Sequence, residues 1–298
     1  MKNSVIAFGK YYFKDQNCPI AVWKISSDHA PQHEYDFTST GHYHDFSEIV
    51  LVCDGSGVQY IDNREYPVSA GDVFVLNGYT VHSFAHRENL VLYNLQFDPA
   101  RLPLPEGYLR KLPGYNMLFL LDPKMRKGYR KMLHINRHLD DLVQKMQTLK
   151  EVLSRQAEGF EAVAFSILLS ILILLSQASP VAEEEQNSPL FRMGNMISLM
   201  EKTFLRQWSL EELAREACMS VNNFLRLFKS ATGFSPCAYL IRLRLKHAVS
   251  LLENSDLPLG EIAEKSGFCD SNYFSKVFKR EYHLSPRLYR KNKKQQER

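Results

Sequence analysis

From about residue 5 to residue 97 the apolar positions fall in short continuous or alternating runs: IAVWKI, EIVLVC, GVQYID, GDVFVL and LVLYNLQF. Asp54-Gly55, Asp62-Asn63, Ala70-Gly71 and Asn77-Gly78 lie between them, and each pair is a turn signal. Short strands at this spacing predict a sandwich or barrel. A proline-rich connection follows, from Pro99 to Pro113. Between about residues 124 and 176 the period changes. Leu139, Leu142, Met146, Leu149 and Leu153 recur at three- and four-residue intervals, which predicts a helix. A second helix is expected from about 159 to 176. It contains ILLSILILL, a run far short of the ~20 residues a membrane-spanning helix needs. That run is expected in a core or at a dimer interface. Residues 177–189, QASPVAEEEQNSP, carry two prolines and an acidic triplet and predict a linker. Everything after it reads as short helices separated by turns.

The last third of the chain repeats itself. LEELAREACM at 210–219 matches LGEIAEKSGF at 259–268 with an offset of 49. SVNNFLRLFKSATGFSP at 220–236 matches DSNYFSKVFKREYHLSP at 270–286 with an offset of 50, Cys269 being the inserted residue. In the first copy Leu213 and Ala214 face inward and a tight turn falls at Cys218-Met219. Ser220 caps a helix whose Phe224, Leu227, Phe228 and Ala231 form one buried stripe. Its other face carries Asn222, Leu225, Arg226 and Lys229. In the second copy Ile262 and Ala263 are inward, Gly267 makes the turn, and Asp270 caps. Phe274, Val277 and Phe278 are buried there, opposite Asn272, Ser275, Lys276 and Lys279. Each copy ends at Ser-Pro, an N-cap followed by proline at the first helical position. Short helix, tight turn, and second helix with a polar, basic outer face define a helix-turn-helix. Two such units are expected, at about 209–231 and 258–281. Asn, Arg and Lys are the side chains that read base edges in the major groove.

Charge supports this division. Residues 190–298 hold 19 Lys and Arg against 11 Asp and Glu, a net +8, whereas residues 1–189 net −4. A basic module joined to an acidic one fits a polyanion binder coupled to something else. The five cysteines are scattered, with no CxxC pair, as expected of reduced thiols in a cytoplasmic protein. MKNSVIAFGK lacks the long apolar run of a signal peptide.

LEELAREACMSVNNFLRLFKSATGFSP, YLIRLRLKHAVSLL and IAEKSGFCDSNYFSKVFKREYHLSPRLYR resemble the DNA-binding domain of the AraC/XylS family of bacterial transcription regulators. The resemblance covers residues 190–298. It implies seven helices, a linking helix at about 236–253, and two recognition helices in successive major grooves about 34 Å apart. Carried over by position, Asn222, Leu225 and Arg226 would contact DNA, with Asn223 and Lys229 near the backbone. The second helix would use Ser271, Asn272, Ser275 and Lys276, with Lys279 and Arg280 on phosphates. Leu225 departs from the polar residues common there. It would touch a thymine methyl or pack. Arg242, Arg244 and Lys246 on the linking helix are expected to be solvated or phosphate-facing.

A second constellation lies among the strands: His42-x-His44-x₃-Glu48-x₆-Gly55, then His82. Strand alternation puts His42 and His44 on one face. GHYHDFSEIVLVCDGSG and YPVSAGDVFVLNGYTVHSF resemble the two cupin motifs, although Asn77 stands where proline is usual. HDFSEIV and LPGY (112–115) resemble the rhamnose-regulator subgroup. Three readings of the His/Glu set stay open: a metal site, the polar wall of a small-molecule pocket, or remnant residues at a barrel mouth. The resemblance favours the pocket, with Trp23, Tyr60 and Arg64 added on alternation alone.

The fold expected is therefore α+β and multidomain: a cupin-like effector-binding barrel over 1–120, a helical dimerisation segment over 121–178, a linker at 179–189, and the all-α domain over 190–298. The function expected is a sequence-specific transcription regulator, an activator, answering a small effector such as a monosaccharide. The resemblance adds RNA polymerase and a homodimer as partners, with no membrane, no catalytic residue and no cofactor. The competing expectations are a metal-binding cupin enzyme fused to a DNA-binding domain, and a constitutive regulator whose barrel is only a dimer scaffold.

Overall fold

The structure is a computed structural model. It describes residues 5–26, 41–62, 64–78, 80–121, 133–135, 138–178 and 189–296. The chain forms two compact units, Met1–Asn195 and Met196–Arg298.

The first unit is built on one mixed sheet of eight strands: β1 Val5–Ala7, β2 Ile20–Ile25, β3 His42–His44, β4 Ser47–Ile61, β5 Arg64–Ser69, β6 Asp72–Leu76, β7 His82–Phe97 and β8 Leu133–His134. The order is β1-β3-β7-β4-β6-β8, with β2 on β7 and β5 on β4. All pairs are antiparallel except β1 with β3. The two long strands organise it. The first half of β4 pairs with β6 and the end of β7, and its second half pairs with β5 and the start of β7. Asp54-Gly55 reads as a turn in the sequence, yet EIVLVC and GVQYID belong to one strand. Successive register shifts between Val52 and Val58 absorb the Asp-Gly pair as bulges, with Gly55 at φ +72°.

The sheet has a core on each face. Val50, Val52, Ile61, Phe74, Phe84 and Leu92 fill the inner one. Ile49, Leu51, Val73, Val75, Tyr93 and Leu95 form the outer one, against helices α1 (Leu139–Arg155) and α2 (Phe160–Gln177). The predicted stripe of α1 buries Leu142, Met146 and Leu149. α2 extends past the ILLSILILL run to 18 residues with a mean hydropathy of 2.0, long and apolar enough to span a bilayer by those criteria alone. Its Ala164, Leu168, Ile171, Leu172 and Leu175 are instead packed into the outer core, each large side chain contributing about 1.5–3 kcal/mol. The predicted linker lies outside the described residues from 179 to 188.

The second unit takes up the last part of α3 (Pro189–Lys202) and continues through α4 (Leu210–Glu216), α5 (Val221–Thr232), α6 (Pro236–Asn254), α7 (Leu259–Lys265), α8 (Ser271–Tyr282) and α9 (Pro286–Gln296). The predicted caps form. Ser220, Ser235, Asp270 and Ser285 each accept from a backbone N–H two or three residues on. Ser209 and Glu212 add a reciprocal capping box ahead of α4. The α4–α5 turn places Cys218 at φ +51°, where the second copy has Gly267 at +81°. A side chain in this left-handed region costs about 1–2 kcal/mol, against about 0.5–1 kcal/mol for the extra freedom glycine loses. Cys218→Gly is expected to raise stability by roughly 0.5–1 kcal/mol, read as a higher denaturation midpoint of the helical unit.

Candidate nucleic-acid interface and ligand site

The two recognition helices are held alike. On α5, Phe224 and Phe228 are fully buried, their rings 5.4 Å apart, and Phe228 meets Tyr239 of α6 edge-on. On α8, Phe274, Val277 and Phe278 fill the corresponding places. Leu227, expected in the buried stripe, is half-buried. The opposite faces are free to meet a ligand. Asn222, Arg226 and Lys229 are exposed on α5, with Asn223 and Leu225 half-buried. Ser271, Asn272, Lys276, Lys279 and Arg280 are exposed on α8, with Ser275 half-buried. The Arg226 guanidinium donates to Asn223 Oδ1 at 2.9 Å, which pre-orients it along the helix. Tyr273, 46% exposed on α8, adds an aromatic that the polar pattern did not single out.

α6 ties the halves together and uses two of its arginines to do so. Arg242 pairs with Glu281 at 3.0 Å and stacks on Phe234. Arg244 donates to the carbonyls of Phe204 and Arg206, both at 2.9 Å. Both were expected to be solvated or phosphate-facing. The Arg244 guanidinium is spent on internal carbonyls, whereas Arg242, its side chain 49% exposed beside Glu281, and Lys246 are exposed as expected.

Arg226→Ala and Lys276→Ala are each expected to weaken binding to a cognate duplex by about 1–3 kcal/mol and to relax base preference in one half of the site. Gel-shift titrations on a matched panel of base substitutions check this. Uniform weakening across the panel would assign the side chain to phosphate instead.

The candidate ligand site lies on the inner face of the sheet. β3 and β7 place His42 opposite His82 in register, and β4 and β7 place Glu48 opposite Gln96. His42, His44, Glu48 and His82 converge as expected, all 0–1% exposed. Their ring centroids stand 4.2 Å apart for His42–His82 and 5.1 Å for His44–His82. His44 Nε2 and His82 Nε2 lie 3.6 and 3.2 Å from Glu48 Oε2. Burial acts to raise the Glu48 pKa, but the two imidazoles outweigh it and hold the carboxyl well below the usual carboxylate range.

Trp23 belongs to the set, because its indole N–H donates to Gln96 Oε1 at 3.2 Å and Gln96 donates to Glu48 Oε1 at 2.9 Å. Arg64 pairs across from Ile61, which pairs with His82, so it stands at the exposed rim of the inner face. Tyr60 does not belong. It lies on the opposite face, its hydroxyl donating to Glu65 at 3.2 Å. Alternation from Glu48 through Val50 and Val52 pointed to even-numbered positions. The bulges shift β4 by one residue, so beyond them Gln59 and Ile61 face inward. Gln59, Asn94 and Gln96, all fully buried, complete the polar wall that motif reading missed.

A barrel-like sheet with a polar, buried inner wall, together with two capped helix-turn-helix units, defines a ligand-binding DNA-binding regulator. Residues 25–163 match the family described as an AraC-like ligand binding domain, and residues 213–292 match a helix-turn-helix domain family. The chain is 30% identical over 253 residues to the HTH-type transcriptional activator RhaS of Klebsiella pneumoniae (strain 342), covering 85% of this chain and 87% of that one. It is 31% identical over 256 residues to RhaS of Salmonella paratyphi B, with the same coverage. A crystal structure of the DNA-binding domain of AdpA with a target DNA is 33% identical, covering 34% of this chain and 91% of that one, at a TM-score of 0.33. The chain belongs to the AraC family of transcription regulators.

Proposed function

We propose that this chain is a sugar-responsive transcription activator that binds promoter DNA through α5 and α8 and a monosaccharide on the inner face of its sheet. The single observation that carries the effector reading is the polar wall itself. Seven polar side chains, His42, His44, Glu48, Gln59, His82, Asn94 and Gln96, are at most 1% exposed where a strand fold would otherwise bury apolar groups. Buried hydrogen-bonding groups converging on one face suit a ligand rich in hydroxyls. Trp23 offers a ring for stacking, and Arg64 stands at the rim. The likeness to the RhaS activators adds to this, as does the family of the barrel.

The working unit is a cytoplasmic homodimer. Val163 and Ile173 on α2 are 47% and 38% exposed, apolar positions beside the buried face that a second copy would cover. Effector binding shifts the population between arrangements that differ in affinity for paired promoter sites, and the bound activator recruits RNA polymerase.

The test is a melting screen of the purified chain against pentoses, hexoses and deoxyhexoses. A sugar at a hundredfold its dissociation constant adds ~2.7 kcal/mol to the unit that binds it. One sugar should raise the melting temperature, and Gln59→Ala should abolish the rise. No shift with any sugar would leave the constitutive reading in which the barrel is only a scaffold.

A further inference from the structure

The outer core is not filled where α1 turns into α2. α1 stops at Arg155, Gln156 turns the chain at φ +48°, and α2 begins at Phe160. A cavity of about 100 Å³ lies there beside β2, a strand that pairs only with β7 among the described residues. Its interior is apolar. Cys18, Ile20 and Val22 are buried, and Leu153 and Phe160 pack on the same core. Burial pushes the Cys18 thiol up to about 11, so it stays neutral.

The mouth is charged. Lys14 and Lys150 line it, and both are exposed. Among the described residues neither ammonium group pairs with a carboxylate. Asp15, which also lines the cavity, accepts the Asn17 backbone N–H at 2.7 Å. Glu151, next to Lys150 in the chain, pairs with Arg155 at 3.8 Å. Two cations against one acid that is already engaged leave the opening positive, and such an opening attracts an anion. An apolar cavity of about 150 Å³ holds a benzene ring, so this one seats a single small apolar body with its polar head outside. A sugar is a poor fit, because apolar walls leave its hydroxyls unpaired. Trp23 forms part of the wall, and its indole N–H donates to Gln96 at 3.2 Å. An occupant of the cavity therefore touches the inner polar wall from behind.

We propose that this cavity binds a compact organic acid, with its carboxylate facing Lys14 and Lys150 and an apolar body of about six carbons inside. The site is separate from the inner face and does not rest on the sugar reading.

The experiment titrates the purified full chain, with no sugar present, with cyclohexanecarboxylate and hexanoate and with the neutral amide of each. Calorimetry and tryptophan emission read the binding. Saturable uptake of one carboxylate per chain is expected for at least one of the two acids, with its amide bound roughly fivefold more weakly, as two exposed ion pairs imply. Emission should shift with occupancy, since Trp23 lines the cavity and the other tryptophan, Trp208, belongs to the second unit. Replacing both lysines, Lys14→Gln with Lys150→Gln, should erase the preference for acid over amide. Ser154→Phe, at an exposed lining position near the end of α1, should block the mouth and abolish binding. Gln59→Ala on the inner wall should bind the acid as wild type does. Circular dichroism reports whether each variant folds, and the lysine variant, which changes only exposed side chains, decides the matter should Ser154→Phe not fold. No saturable binding of either acid overturns the proposal. So does equal binding of acid and amide, a preference unchanged in the lysine variant, or binding unchanged in folded Ser154→Phe. Binding lost in Gln59→Ala would place the acid on the inner wall and overturn it as well.

Discussion

Phe278→Ala is expected to unfold much of the second helix-turn-helix and to abolish specific DNA binding while leaving the barrel unit folded. Phe278 is fully buried on α8 and packs against Phe274, Tyr282 and Tyr289, with ring centroids at 5.6, 4.6 and 5.6 Å. Tyr289 in turn donates to Glu253 at the end of α6. One ring thus joins the recognition helix, the last helix and the linking helix. Removing it should cost about 3–5 kcal/mol, the transfer free energy plus the cavity left behind. A unit of this size has only about 5–15 kcal/mol of stability to lose. Calorimetry should show one of two transitions lowered by well over 10 °C, at about 4–8 °C per kcal/mol. A single lowered transition for the whole chain would mean that the two units unfold together.

Gly114→Ala is the corresponding expectation for the barrel unit. Gly114 lies in the helical turn Pro113–Tyr115, within the LPGY run. A Cβ there would meet the backbone of Ser176 in the last turn of α2, 2.8 Å from its carbonyl carbon and closer still to its oxygen. Backbone cannot rotate aside as a side chain can, so the connection must lift off α2. Such overpacking costs about 1–3 kcal/mol and more where neither partner yields. The expected readout is a drop in the barrel transition with the helical transition unchanged. An unmoved barrel transition would show that the turn can shift freely.

The helical unit was legible because its signals are local and occur twice. Caps at Ser220 and Asp270, the turn at Cys218 and Gly267, and the phenylalanine stripes each occupy a few adjacent residues. The repeat at offsets of 49 and 50 corroborates each copy with the other. The barrel was legible in its strands and in His42, His44, Glu48 and His82. It was not legible past the bulges of β4. Period-two reasoning holds only while register holds, and one net shift near Gly55 exchanged Tyr60 for Gln59 on the inner wall. Gln96 escaped because its partner is 48 residues away, across the β4–β7 ladder. Arg244 was misjudged for a similar reason. Nothing near it in the chain shows that the carbonyls of Phe204 and Arg206 await it.

Selection of duplexes from a random library by the purified full chain, with and without each sugar, shows whether both recognition helices read DNA and whether the barrel controls them. Enriched sites are expected to contain two recognition elements about 10–10.5 base pairs apart, one per helix-turn-helix, with enrichment that changes with one sugar. Arg226→Ala should erase one element and Lys276→Ala the other. Enrichment of a single element, or of none with or without sugar, would contradict a regulator that reads DNA with both recognition helices under the control of its barrel.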